Sequence, residues 1–226
     1  MPGRAAALVA AAAFCGVRMR THVYVDGYNL YYGCLKKTPY KWLNIHALCC
    51  ALMPGNDIRA VRYFTAQVSG TPHDPDQPTR QQTYFRALRT VPQISIHLGH
   101  FLTHEVIMPD AADWQAGRFT PRHVMKTEEK GSDVNIATHL LIDAFDDAFD
   151  VAVIISNDSD LKEPISVVRN RFRKTIGILN PQAKVSRALQ PLAHFIKPIR
   201  PGALAIAQFP DMMRDAQGQF HKPTRW

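Results

Sequence analysis

The feature that most narrows the fold is Val151-Ala152-Val153-Ile154-Ile155, five consecutive apolar residues that run straight into Ser156-Asn157-Asp158-Ser159-Asp160. A strand with one wet face alternates polar and apolar side chains. An unbroken, mostly β-branched run is covered on both faces, as in the interior of a parallel sheet. Parallel neighbours need crossover segments, and strand-like and helix-like stretches alternate along this chain. The expected class is therefore α/β: a three-layer α/β/α sandwich, Rossmann-like, around a mainly parallel central sheet.

The first strand spans His22 to Val25 and ends in the turn Asp26-Gly27-Tyr28-Asn29. Leu30 to Leu35 and Asn44 to Leu52 read as helical pieces, Ile58 to about Val68 as a strand, and Thr79 as the start of a helix with Tyr84, Leu88 and Val91 inward. Ile94 to Leu98 reads as a strand, Phe101 to Met108 as a hairpin arm, and Asp110 to Arg122 as the most loop-like interior stretch. Ser132 is expected to cap a helix from Asp133 to about Asp147. Its buried face is expected to hold Val134, Ala137, Leu141, Ala144 and Phe145, with Asp143, Asp146 and Asp147 mostly off it. A helix from Leu161 to about Phe172, a strand from Lys174 to Leu179 and an amphipathic piece around Val185 to Leu192 complete the alternation.

A chain of 226 residues, 46% hydrophobic, suits one core. The expected domain covers residues 21–200, with 201–226 as a C-terminal extension. Residues 1–20 read as a disordered or mis-extended N-terminus. Arg4 and the Ala-rich run to Val17 imitate a signal peptide, but the run is too short to span a membrane and Met19 offers an alternative start. No membrane association and a cytoplasmic location are expected. The four cysteines, Cys15, Cys34, Cys49 and Cys50, lack zinc-site or disulfide-framework spacing, and the vicinal pair reads as core packing. No GxGxxG, Walker lysine or GxSxG pattern occurs, which excludes the usual dinucleotide, nucleoside-triphosphate and serine-hydrolase fingerprints.

In an open parallel sheet, ligands lie beyond the carboxyl ends of the strands, where strand order reverses. Asp26 follows the first strand and Asp158 the fourth, so both face that crevice; Asp133 reaches it at the start of its helix. Singly, each has a commoner, duller role: Asp26 as a turn residue, Asp133 as a charge on a helix dipole, Asp158 or Asp160 as a cap. Their convergence on one edge, with Asn29, Ser156, Asn157 and Lys130 around them, is what suggests a site. Clustered carboxylates repel one another unless a cation joins them, and hard oxygen donors suit Mg²⁺ or Mn²⁺, ions that activate water against a phosphodiester.

Three blocks, Val25-Asp26-Gly27-Tyr28-Asn29-Leu30-Tyr31-Tyr32, Glu129-Lys130-Gly131-Ser132-Asp133-Val134 and Ile155-Ser156-Asn157-Asp158-Ser159-Asp160, resemble in order and spacing the signature of the NYN domain, a branch of the PIN-like nuclease superfamily. The resemblance covers roughly His22 to Ile199. It implies Asp26, Asp133 and Asp158 as metal ligands, Asp160 as a further acidic ligand or a group just behind them, Asn29 as a polar partner, and Mg²⁺- or Mn²⁺-dependent cleavage of RNA in processing or turnover. Asn157 and Leu161 depart from the glycine and the aromatic residue common at those positions.

The net charge of +8 suits a polyanionic partner, RNA and possibly DNA. Arg118, Arg122, His123, Lys126 and Lys130, expected in or beside a mobile loop at the mouth, are the better placed basic group; Arg169, Arg171, Arg173 and Lys174 read first as a solvated face. Tyr28, Tyr31, Tyr32 and Trp42 are candidates for base stacking. His97, His100 and His104 read as solvated or packing residues. The alternatives to a nuclease are a catalytically weak or inactive RNA-binding regulatory module of the same fold, and a phosphatase, disfavoured by Tyr28 where a second acid would stand.

Overall fold

The computed structural model describes residues 18–226, so the Ala-rich run to Val17 lies outside the described residues. Strand β1 is Met19–Asp26, followed by helix α1, Gly27–Leu30, and a π-helical turn, Tyr31–Leu35. Then come α2, Ile45–Leu52; β2, Asn56–Ala66; α3, Gln77–Arg89; and β3, Ile94–Pro109. The short α4, Ala111–Gln115, leads to β4, Pro121–Lys130, and α5, Ser132–Phe145. The chain continues through β5, Val151–Ile155; α6, Lys162–Asn170; β6, Thr175–Asn180; and β7, Phe195–Pro198. Helix α7, Pro201–Ile206, and the ribbon of β8, Met212–Asp215, and β9, Gly218–His221, end it.

Seven strands form one sheet in the order β4-β3-β2-β1-β5-β6-β7, all parallel except the β3/β4 pair. The parallel order reverses between β1 and β5, which makes their carboxyl ends the switch point of a Rossmann-like sheet. Alternate residues of β1 feed two cores. Val23 and Val25 pack with Ile45, Leu48, Phe85 and Leu88 on one face, while Tyr24 packs with Ile136, Leu140, Ile165 and Val168 on the other. The result is the expected three layers. Leu204, Phe209 and Phe220, all beyond residue 200, belong to the first core. No described helix is long and apolar enough to cross a membrane.

Several local expectations are corrected. β3 is one 16-residue strand: Ile94 to Gly99 pair with β2, and His100 to Pro109 pair with β4 as a projecting two-stranded arm. The stretch expected as loop, Asp110 to Arg122, contains α4 and the start of β4. β4 escaped notice because both its faces are largely solvated, so its sequence carries no period-two apolar signal. Val185 to Leu192 forms only a 3₁₀ turn at its end, and β7 follows it. Cys49 is buried but Cys50 is exposed.

The buried face of α5 is Ile136, Leu140, Asp143 and Ala144, one residue's rotation, about 100°, from the face expected. Val134 is 68% and Phe145 78% exposed. The cause is Asp143. It turns inward because Arg62 of β2 meets its carboxylate with Nε at 2.7 Å and Nη2 at 2.6 Å, while Tyr24 Oη donates to it at 2.6 Å. An acid so satisfied costs little to bury.

Candidate metal centre

Asp26 ends the central strand and caps α1, its Oδ1 accepting from the Asn29 amide at 2.9 Å. Oδ2 accepts from Asn29 Nδ2 at 2.6 Å and from Ser156 Oγ at 2.9 Å. The turn demands glycine next: a Cβ on residue 27 would lie 2.8 Å from the Phe64 carbonyl oxygen and 2.9 Å from the Tyr63 ring. Asp158 uses the same device one strand over. It caps the 3₁₀ turn Ser159–Leu161 by accepting from the Asp160 amide at 3.0 Å, and its own amide donates to Ser156 Oγ at 3.1 Å. One buried hydroxyl thus fixes both acids.

Asp133 comes from a third direction, in the first turn of α5. Gly131 precedes that helix at φ 98°, a conformation L side chains rarely adopt. Ser132 is not the expected cap: it is the first helical residue, and its amide (3.2 Å) and hydroxyl (2.8 Å) both donate to Glu129 Oε1. One oxygen from each of Asp26, Asp133 and Asp158 lies within 4.8 Å of the others.

Burial, and then the charges of Asp158, Asp26, Glu129 and Asp160, push Asp133 up to about 6. Asp26 is raised as well, chiefly by burial and further by Asp158, against the hydrogen bonds from Asn29 and Ser156. Acids shifted this way are short of positive charge. Three hard oxygen donors converging from three elements fit Mg²⁺ or Mn²⁺. Asp160 lies outside this trio; its charge reaches Asp133, and its amide serves Asp158.

Asn29 does more than hold Asp26. Its Oδ1 accepts from the Asn157 amide at 3.3 Å and from Gln182 Nε2 at 3.2 Å. Asn157 in turn donates to the Lys184 carbonyl and accepts from the Ser186 amide, so it clamps the loop after β6 against the site. Ser156, expected at nucleic acid, is fully buried behind Asp26 and Asp158. Gln182 and Lys184 carry no site pattern in the sequence; Glu129, three residues before a helix-opening Ser, leaves only a faint one.

Arg122, Lys126 and Lys130 lie on the regular strand β4, not in a mobile loop. Lys126 and Lys130 both pair with Glu128, and Arg122 pairs with Asp110 near the far end of the arm, about 26 Å along the strand from Lys130. Arg169 to Lys174 lie at the amino end of β6, on the edge opposite the acids, and Lys174 pairs with Asp147. Trp42 is fully buried in the core, which removes it as a stacking platform; Tyr28 rests edge-on against Phe101, and Tyr32 is 61% exposed. His97 packs on Phe64 and lies 4.2 Å, ring centre to ring centre, from His139.

The sequence model of the NYN domain family matches residues 20–200. A Pseudomonas putida (strain S16) protein named 6-hydroxy-3-succinoylpyridine 3-monooxygenase HspA is 31% identical over 236 aligned residues, which span 92% of this chain and 75% of that protein. The crystal structure of a Vibrio parahaemolyticus protein of unknown function superposes with a TM-score of 0.54 at 18% identity, over 81% of this chain and 94% of that one.

Proposed function

Because the chain belongs to the NYN domain family, whose fold is nuclease-like, we propose that it is a divalent-metal-dependent nuclease acting on RNA, in processing or turnover. The observation that carries this reading is the convergence of Asp26, Asp133 and Asp158 at the sheet's switch point, with Asp133 held near 6. Asp26, Asp133 and Asp158 would hold Mg²⁺ or Mn²⁺, which when bound lowers the pKa of water and offsets charge on the phosphate. The chain's own part is positional. Ser156 and Asn29 fix Asp26, Asp160 fixes Asp158 through its amide, and Asn157 ties the backbone of the loop at Lys184 and Ser186 against the site. Hydrolysis then adds water across one P–O bond.

The purified protein should cut labelled RNA with Mg²⁺ or Mn²⁺, stop in EDTA, and lose more than about 100-fold in rate in Asp26→Asn and Asp158→Asn, beyond the loss typical of groups behind the ligands. A parallel DNA substrate tests the choice of strand. Cutting without metal, or full rates in both variants, rejects the reading.

A second reading is small-molecule chemistry in the same crevice. It is favoured by an aromatic-walled cavity that begins at Gly27 and Tyr28, directly after Asp26, and by the name of the Pseudomonas relative. Turnover of a hydroxypyridine under conditions where RNA stays intact would support it over the first.

A further inference from the structure

Beside the carboxylates lies a cavity of about 680 Å³, well inside the 300–1,000 Å³ range of small-molecule sites. Gly27 and Tyr28, the next residues after Asp26, line it, as does Thr127, two residues before Glu129. Trp226 lines it too, its ring centre 5.3 Å from that of Tyr84. Its walls are aromatic: Tyr31, Tyr63, Tyr84, Phe85 and Phe101 all contribute. Flat faces of this kind receive flat rings.

Two buried polar atoms with no partner belong to residues lining this one cavity, Tyr28 Oη and Arg80 Nε; a third lining atom, Asp74 Oδ1, meets only Arg225 Nη1, at 4.0 Å. Buried polar atoms are seldom left unmatched, and two on one cavity mark a place where a ligand supplies the partners. Their chemistry narrows the ligand. Arg80 is paired through Nη2 with Asp74 Oδ2, and the other oxygen of that carboxylate faces Arg225. What remains is a donor, the Arg80 Nε–H, and the Tyr28 hydroxyl, which can donate or accept. Those two groups suit a ring that carries an acceptor for the Nε–H together with a second polar atom, as ring amides and amino-substituted nitrogen heterocycles do.

We propose that this cavity binds one planar nitrogen heterocycle between its aromatic walls, with the ring's polar atoms met by Arg80 and Tyr28. The ring has two sources, an unpaired base of the strand whose phosphodiester lies on the carboxylates, or a free molecule. The first source rests on the nuclease reading; the ring site does not.

The test uses the full chain as Asp158→Asn in EDTA, where no cutting interferes. Tryptophan fluorescence is followed while the four nucleoside 5′-monophosphates and 2-hydroxypyridine are titrated separately. At least one probe should saturate, and about tenfold more of it should be needed in Arg80→Gln and in Tyr31→Leu, each checked for an unchanged melting temperature. If one variant fails to fold, Thr103→Trp, which fills part of the cavity, stands in for it. Nucleotide binding, together with a wild-type cleavage pattern that shifts when single positions of an RNA are made abasic, assigns the strand base. Binding of 2-hydroxypyridine alone assigns a free ring. No saturation by any probe in the millimolar range, or binding indifferent to the variants, overturns the site. Ring binding without cleavage would reject the nuclease reading alone, and cleavage without ring binding would reject this one.

Discussion

Helix α5 carries a buried or half-buried aspartate near each end, and the two live in opposite electrostatic worlds. Burial alone would raise Asp143, but hydrogen bonds from His22, Arg62 and Tyr24, with the Arg62 charge, hold its carboxyl well below the usual range. Asp133, ten residues earlier, meets only burial and other acids, and is raised to about 6. Residue type and helix are the same. The difference is whether a cation belongs to the chain, as at Asp143, or must come from outside, as at Asp133, and this separates a carboxylate that holds the fold from one that serves a site.

The comparison can be broken from either side. Asp143→Asn should cost about 3 kcal/mol, the low end for breaking a buried pair, since Arg62 keeps 23% of its side chain in water. The melting temperature should fall by roughly 6–12 °C; a fall under about 2 °C would make the pair ornamental. Ser156→Ala removes the hydroxyl shared by Asp26 and Asp158, and should slow metal-dependent cleavage about 10–100-fold while the fold persists. Unchanged rates would mean that the acids hold their places without it. The smallest effect has the opposite sign. Asp133→Asn should stabilise the metal-free protein at pH 7 by roughly 1 kcal/mol after allowance for solvent screening.

The two acids also predict opposite responses to pH. The folded-state pKa of Asp143 is depressed, so its stabilisation is full above the unfolded value near 4 and is lost as pH falls through the lower folded value. The Asp133 value is raised to about 6, so the native state takes up its proton first. Its penalty is full above pH 6 and fades between about 6 and 4. The Asp133→Asn gain, measured by chemical denaturation in EDTA, should therefore vanish on acidification across that window. A gain constant from pH 7 to pH 4 would contradict the assignment.

What the sequence discloses follows from how locally each feature is encoded. β5 is legible because Val151 to Ile155 is covered on both faces and leaves an unbroken apolar run. Asp26 and Asp158 are legible because strand ends and turn residues are written in adjacent positions. β4 is not legible, since a strand whose partner is only the outer half of β3 needs no apolar face. The orientation of α5 is not legible either: Asp143 turns inward only because Arg62, 81 residues earlier, stands opposite it. The Asn157 clamp on the loop after β6 and the aromatic cavity likewise join distant segments, and no local pattern announces them.

The Ser156 hydroxyl bonds to a carboxylate 130 residues earlier in the chain. On the ribosome this separation becomes a delay. At 5–20 residues per second, β1 waits on the order of ten seconds before β5 can dock beside it. Until then Asp26 has neither its hydroxyl partner nor Asp158, so a nascent chain cannot assemble the centre before β5 and the turn after it have emerged.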